Sequence, residues 1–133
     1  MAEFNVPAHG TICWRELATH DLENSSTFYK EMFGWELKPS TISPVPYIEI
    51  HIGGQAVGGM MAIDSSWGPE PPPSHWSTYV AVSNADETAA AIKANGGAIR
   101  HGPFDAPGVG RIVLAADPCG VMFAAIEFER PPA

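Results

Sequence analysis

The sequence predicts an α+β fold, in which paired βαβββ units form a cupped, barrel-like mixed sheet with helices on its outer face. The prediction rests first on an internal repeat. Residues 10–63 and 75–128 show the same succession of strand, helix cap, amphipathic run, glycine stop and further strands. It rests also on the proline-rich residues 64–74, which favour an extended linker between the copies. Residues 1–133 are therefore expected to form a single domain.

A constant offset of 63 residues relates the two copies (84 − 21 = 63). Positions matched by this offset share their character: an apolar strand residue, a polar helix cap and a glycine helix stop. The matched pairs are Leu17 with Val80, Asp21 with Asn84, and Gly34 with Gly97. Because each copy supplies half of a sheet, we expect the two copies together to enclose a concave surface for a small molecule.

The first copy opens with a strand over residues 12–19, whose period-two alternation places Trp14 and Glu16 on one face. Asp21 then caps a helix, and Gly34 ends it. Apolar residues recur along this helix at helical spacing and predict a buried stripe. They are Leu22, Phe28, Tyr29, Met32 and Phe33.

The clearest strand covers residues 47–52, where apolar and polar side chains alternate. The apolar set is Ile48, Ile50 and Ile52, and the polar set is Tyr47, Glu49 and His51. We expect the isoleucines to pack on the helix and the polar set to lie on the concave side. Gly53-Gly54 predicts a hairpin turn into a strand over residues 56–63.

The second copy repeats this order with a strand over residues 75–82 and a helix capped by Asn84. Small and branched apolar residues form the predicted stripe of this helix: Ala85, Ala89, Ala91 and Ile92. Residues 104–110 are rich in glycine and proline and predict a loop. Strands are predicted over residues 111–116 and 121–128.

The bulk composition argues against several classes of partner. A formal net charge of −8 opposes binding to nucleic acid or to an anionic membrane surface. No apolar run approaches the ~20 residues that a membrane-spanning helix needs. Cys13 and Cys119 are predicted to be thiols in a reducing, cytoplasmic environment.

Six segments carry a family resemblance through their order and spacing. They are Cys13-Trp14-x-Glu16-Leu17-Ala18-Thr19-x-Asp21, Phe28-Tyr29-x-x-Met32-Phe33-Gly34-Trp35, Val57-Gly58-Gly59-Met60-Met61, Tyr79-Val80-Ala81-Val82, Pro107-Gly108-Val109-Gly110-Arg111 and Ala116-Asp117-Pro118-x-Gly120-x-x-Phe123. In these segments the chain resembles the vicinal oxygen chelate superfamily of glyoxalases, bleomycin-resistance proteins and extradiol dioxygenases. It is most similar to a single-domain, bacterial, glyoxalase-like subgroup. The resemblance implies a homodimer.

The resemblance also implies four metal-ligand positions, two in each copy, which His and Glu normally fill. The motifs place them at Trp14, Met61, Ser77 and Ala124, and the offset of 63 relates Trp14 to Ser77 and Met61 to Ala124. None of these side chains is an imidazole or a carboxylate, the ligands that such a divalent ion prefers. We therefore predict no metal cofactor at these positions and no metal-dependent glyoxalase or dioxygenase activity from them.

Strand parity and the resemblance together predict the lining of a small-molecule pocket. The candidate ligand-binding residues are Trp14, Tyr47, Met61, His75, Ser77, Tyr79, Arg111 and Ala124. Aromatic side chains with a few polar groups are the usual lining of such a pocket. In this arrangement Trp14 and Tyr79 would hold a planar ligand between their rings.

Glu16 is the candidate catalytic residue, because desolvation beside Trp14 would raise its pKa and suit it to general acid or base catalysis. The alternative is a structural carboxylate that pairs with Arg111 or accepts backbone hydrogen bonds. A further alternative is a displaced metal site formed by Glu49, His51 and His75.

The sequence leaves three functions open. The first is metal-free binding of a small apolar or aromatic organic molecule in the cup. The second is a metal-independent isomerase, lyase or cyclase that uses Glu16 for proton transfer on a carbonyl compound. The third is a metal-dependent glyoxalase or dioxygenase that uses the displaced site.

Overall fold

The computed structural model describes residues 6–41, 43 and 46–129. Its elements follow the order βαβββ twice, which confirms the predicted α+β class of paired units. The first set is β1 (Ile12–Thr19), α1 (Leu22–Phe33), β2 (Glu36–Pro39), β3 (Ile48–Ile52) and β4 (Gln55–Ala62). The second set is β5 (His75–Ala81), α2 (Ala85–Ala94), β6 (Ala98–Ala106), β7 (Gly110–Ala116) and β8 (Met122–Phe128). A 3-10 turn, Ser65–Trp67, lies between the sets.

The chain divides into two compact units. Residues Trp14–Ser77 form one, which we call the N-terminal unit. Residues Met1–Cys13 and Thr78–Ala133 form the other, which we call the C-terminal unit. The boundaries fall within β1 and β5, so the N-terminal unit lacks residues 10–13 of the first copy and includes residues 64–77, which follow that copy.

The strands of the N-terminal unit lie in the order β2-β3-β4-β1, with β1 and β4 parallel and the other pairs antiparallel. Its core consists of Leu17, Ile50 and Met60, against which Leu22 and Tyr29 of α1 pack. Ile50 and Ile48 therefore lie on the helix side, as the alternation predicts, but the predicted packing of Ile52 is wrong, because the strand register shifts after Ile50 and Ile52 is 49% exposed. Gly53 and Gly54 have φ values of 61° and 79°, which suit the predicted two-residue hairpin turn.

The predicted stripe of α1 is only partly correct, because the helix has no fully buried residue. Phe28, Met32 and Phe33 are 55%, 59% and 60% exposed. Tyr29 lies against the core and stacks on Trp35 with ring centroids 5.3 Å apart. The apolar stripe is thus wider than the surface that the sheet presents to the helix, and its outer residues remain on the surface.

The strands of the C-terminal unit lie in the order β5-β8-β7-β6. Ala85 and Ala89 of α2 pack on Val113 and Ala115 of β7, and their small side chains allow a close approach of helix to sheet. The loop predicted over residues 104–110 is wrong in part, since β6 continues to Ala106 and the turn covers residues 107–109. As an edge strand, β6 tolerates proline, which lacks a backbone donor.

The helix caps confirm the offset of 63 for the first part of each copy. Asp21 Oδ1 accepts a hydrogen bond from the Asn24 amide at 3.0 Å, and Asn84 Oδ1 accepts one from the Glu87 amide at 2.9 Å. Both side chains satisfy a donor of the first helical turn that has no partner within the helix.

The offset changes in the second part of each copy. In the N-terminal unit Ala18 pairs with Met61, whereas in the C-terminal unit the equivalent Ala81 pairs with Ile126. The strand register therefore relates β4 to β8 by 65 residues (126 − 61 = 65). The predicted match of Met61 with Ala124 is wrong, and Gly59 is the counterpart of Ala124.

Cys13 and Cys119 are thiols, as predicted. The Cys13 Sγ donates to the Tyr79 carbonyl oxygen at 3.6 Å, and Cys119 is exposed. Within the described part of the chain, no helix combines the length and apolar character needed to cross a bilayer.

Candidate functional site

One face of the N-terminal sheet points away from α1. Cross-strand register places Glu16 of β1, Gly59 of β4 and Glu49 of β3 in one row. The next residues along two of these strands, Leu17 and Met60, lie in the core under α1, so the row belongs to the opposite side. We call this surface the Glu16 face. It comprises Trp14, Glu16, Tyr47, Glu49 and Gly59.

A short chain of hydrogen bonds joins three side chains on the Glu16 face. Trp14 Nε1 donates to Tyr47 Oη at 3.0 Å, and Tyr47 Oη donates to Glu16 Oε2 at 2.8 Å. All three residues are half-buried. The structure therefore brings three of the predicted site residues together and gives the Glu16 carboxylate a phenol partner that the sequence analysis did not identify.

Gly59 fixes the position of the Tyr47 ring. A Cβ atom at residue 59 would overlap Oη, Cε1 and Cζ of Tyr47. Tyr47 precedes β3, and its ring occupies the space that a side chain on β4 would otherwise fill. The absence of a side chain at Gly59 is therefore what allows the phenol to reach between Trp14 and Glu16.

The residues of the predicted displaced metal site do not form one group. His51 Nε2 lies 3.0 Å from Glu49 Oε1, whereas His75 Nδ1 lies 2.7 Å from the Pro73 carbonyl oxygen. The His75 ring also contacts Trp67, with centroids 6.5 Å apart. Among the residues that the structure describes, no three His, Cys, Asp or Glu side chains are grouped to hold a metal ion.

Arg111 lies on the helix side of the C-terminal sheet, which corrects the predicted concave position. Its strand parity is that of Val113, which packs under α2. The guanidinium contacts the Asp86 carboxylate with two nitrogens at 3.1 Å and Asp105 Oδ1 at 3.0 Å. These hydrogen bonds raise the pKa of Arg111, and the hydrogen bond to Asp86 has the larger effect. They also connect α2 to the β6–β7 hairpin.

The other predicted site residues fall in both units. Met61 is half-buried and shares the parity of Gly59 on the Glu16 face, and Ser77 is half-buried at the end of the N-terminal unit. In the C-terminal unit Tyr79 pairs with Ala124, and both are buried. Because Trp14 and Tyr79 belong to different units, a planar ligand between their rings stays a prediction.

The four implied metal-ligand positions do not fit a divalent ion. Trp14, Met61, Ser77 and Ala124 supply one hydroxyl and neither carboxylate nor imidazole. In the corrected register the counterpart of Ala124 is Gly59 rather than Met61, and the counterpart of Met61 is Ile126 rather than Ala124. Neither counterpart adds a donor side chain, so the mismatch holds under either assignment.

The chain matches the family model of the Glyoxalase/Bleomycin resistance protein/Dioxygenase superfamily over residues 11–125. The chain belongs to this superfamily. The match covers both sets of strands and helices described above and confirms the family resemblance seen in the sequence motifs.

Two curated relatives of this superfamily domain are similar in sequence. "Putative glyoxylase CFP32" of Mycobacterium tuberculosis is 35% identical over 123 residues, covering 89% of this chain and 44% of the relative. "Anthracycline biosynthesis protein DnrV" of Streptomyces peucetius is 30% identical over 131 residues, covering 88% of this chain and 46% of the relative. The domain thus spans less than half the length of these relatives.

Solved structures of methylmalonyl-CoA epimerases have the same fold as this superfamily domain. The enzyme from Mycobacterium tuberculosis matches with a TM-score of 0.60 at 16% identity, covering 98% of this chain and 94% of that chain. An enzyme from Streptomyces coelicolor also gives a TM-score of 0.60 at 16% identity, covering 92% and 100%. At this identity the similarity concerns the fold alone.

Proposed function

We propose that this domain binds a small, planar, aromatic or otherwise apolar organic molecule on the Glu16 face without a metal. The observation that carries the proposal is the hydrogen-bonded arrangement of Trp14, Tyr47 and Glu16. It holds two aromatic rings and one carboxylate in fixed positions on one side of a sheet. Apolar rings with one oriented polar group are typical of sites for small organic ligands.

The relative from Streptomyces peucetius is consistent with this ligand class, since it is named for the biosynthesis of anthracyclines, which are planar polycyclic aromatic compounds. The proposal of metal-free binding rests on the donor set instead. Trp14, Met61, Ser77 and Ala124 supply no carboxylate or imidazole to a divalent ion.

Tryptophan fluorescence tests the proposal directly. Titration with a panel of planar aromatic natural products should quench the fluorescence of the wild-type protein saturably. Trp14→Phe should remove most of the ligand-dependent change. Trp76→Phe is the matched control and should retain the change, because Trp76 packs against Tyr29 on the α1 side.

A flat response across the whole panel would contradict the proposed function. Elemental analysis of untagged protein tests the metal-free part separately. Stoichiometric zinc, nickel, manganese or iron would overturn that part.

The contact between Tyr47 and Glu16 favours a second candidate function. A carboxylate that accepts a hydrogen bond from a phenol at 2.8 Å is oriented for proton transfer. The corresponding activity is that of a metal-independent isomerase, lyase or cyclase acting on a carbonyl compound. Glu16→Gln should abolish such an activity, and turnover that survives this substitution would remove Glu16 from the catalytic role.

We also propose that the protein is a homodimer, as the family resemblance and the long linker suggest, and that it is cytoplasmic, as its two thiols suggest. Sedimentation velocity at micromolar concentration should give twice the chain mass of 14.2 kDa. A monomeric mass under these conditions would contradict the proposed assembly without affecting the ligand proposal.

A further inference from the structure

We propose that the ligand of the Glu16 face carries a hydroxyl or N–H donor on its ring system, and that Tyr47 imposes this requirement. The inference rests on the proposed function and narrows its ligand class. It follows from how the polar hydrogens of this face are used, from the charges around Glu16 and from the fixed position of the Tyr47 ring.

Two side-chain donors beside Glu16, those of Trp14 and Tyr47, are already engaged. Trp14 has one polar hydrogen, which Nε1 donates to Tyr47 Oη at 3.0 Å. Tyr47 has one hydroxyl hydrogen, which Oη donates to Glu16 Oε2 at 2.8 Å. Neither is left to bind an acceptor group of a ligand that lies against the two rings.

The Glu16 carboxylate already accepts the Tyr47 hydroxyl hydrogen through Oε2, and a carboxylate can accept hydrogen bonds through both of its oxygens. The polar group that a ligand meets beside the rings is therefore an acceptor. A phenolic hydroxyl or an amine matches it, whereas an ether oxygen of the same shape does not. A hydrogen bond to a charged group is worth enough to give about a tenfold difference in affinity.

Charge on the Glu16 face disfavours anionic ligands. Glu49 lies in register with Gly59, two strands away from Glu16, and adds a second carboxylate to the row. Lys38 is in register with Glu49 but pairs with Glu36 at 3.2 Å. His51 likewise lies beside a carboxylate, with Nε2 3.0 Å from Glu49 Oε1, so neither Lys38 nor His51 is unpaired. With a net charge of −8 on the whole chain, a ligand carboxylate would meet repulsion here.

The absence of a side chain at Gly59 lets the backbone of β4 hold the Tyr47 ring in place. Because any side chain at residue 59 would overlap the Tyr47 ring, the ring rests on the backbone of β4. The Tyr47 hydroxyl is thereby held between Trp14 and Glu16 before any ligand arrives. Tyr47 is thus a specificity-determining residue that removes the indole donor from use and orients the carboxylate acceptor.

Three naphthalenes of similar shape test the inference: 2-naphthol, 2-methoxynaphthalene and 2-naphthoate. Equilibrium dialysis at neutral pH, with the free compound measured by absorbance, gives each dissociation constant. We expect 2-naphthol to bind about tenfold more tightly than 2-methoxynaphthalene, because only the naphthol donates to Glu16. We expect 2-naphthoate to bind most weakly.

Tyr47→Phe keeps the ring on Gly59 but frees the Trp14 indole donor and removes the hydrogen bond to Glu16. It should reduce the ratio between 2-naphthol and 2-methoxynaphthalene severalfold, since the indole can then bind the ether oxygen. Tyr29→Phe is the matched control. Tyr29 Oη also accepts a tryptophan donor, from Trp76 Nε1 at 3.2 Å, but it lies on the α1 side. This control should leave the ratio unchanged.

The outcomes separate the inference from the proposed function. If none of the three compounds binds at millimolar concentration, the proposed function and the inference both fail. If they bind with equal affinity, or if 2-naphthoate binds best, ligand binding stands and the donor requirement is overturned. If Tyr47→Phe does not change the ratio of the affinities for 2-naphthol and 2-methoxynaphthalene, Tyr47 does not determine the specificity.

Discussion

Met60→Ala should lower the free energy of unfolding by about 2–4 kcal/mol, the largest loss we expect from a single truncation in the N-terminal unit. Met60 is fully buried between Leu17 and Ile50 beneath α1. Truncation removes its buried thioether and leaves a cavity that the strands cannot close completely. Chemical denaturation monitored by far-UV circular dichroism gives the change.

The adjacent methionine provides the matched control. Met61 lies on the opposite side of β4 and is only half-buried. Met61→Ala should therefore lower the free energy of unfolding by less than half as much as Met60→Ala. Met32, which is 59% exposed on α1, should change stability by less than about 0.5 kcal/mol. Equal losses of unfolding free energy in Met60→Ala and Met61→Ala would contradict the assignment of these two residues to opposite sides of β4, on which the definition of the Glu16 face depends.

Gly59→Ala should destabilise the fold by about 1–3 kcal/mol and displace Tyr47. The new methyl group would overlap the Tyr47 ring, so either the ring or the strand has to move. The same displacement should break the hydrogen bond from Trp14 Nε1. The indole N–H resonance of Trp14 in ¹H–¹⁵N spectra should therefore shift, and denaturation should report the loss of stability.

A double-mutant cycle identifies the cause of this loss. In a Tyr47→Ala background the ring is gone, so Gly59→Ala should cost little. Gly58→Ala is the matched control, since its Cβ would overlap the Arg15 carbonyl oxygen instead. Its cost should be the same with or without Tyr47. A Gly59→Ala cost that Tyr47→Ala does not relieve would overturn the assigned contact.

Local signals predicted most of the secondary structure. The Asp21 and Asn84 caps both lie where the sequence places them, because an N-cap needs only its own side chain and the following turn. The alternation of β3 likewise predicted which side Ile50 would bury. The end of β6 was missed because Pro107, Gly108 and Gly110 indicate a loop but do not show where the strand before it ends, which depends on pairing with β7.

The site itself was only partly predictable. Strand parity placed Trp14 and Glu16 together, but their link through Tyr47 depends on contacts between residues that are 31 and 33 positions apart. Gly59 carried a usable signal, as a glycine inside a strand marks a close approach of another group. Arg111 was misplaced because one charged residue at a strand end does not show which face it occupies, and its partner Asp86 lies on α2.

The change of offset from 63 to 65 between the two copies bears on how residue roles are carried from one half of a duplicated domain to the other. Two residues are one full period of a strand, so the slip leaves the inward and outward pattern of every side chain intact. Hydrophobic patterning therefore cannot detect it. Only the pairing of strands reveals that Met61 corresponds to Ile126. In such duplications, equivalent residues are identified reliably by their strand partners and not by a constant sequence offset.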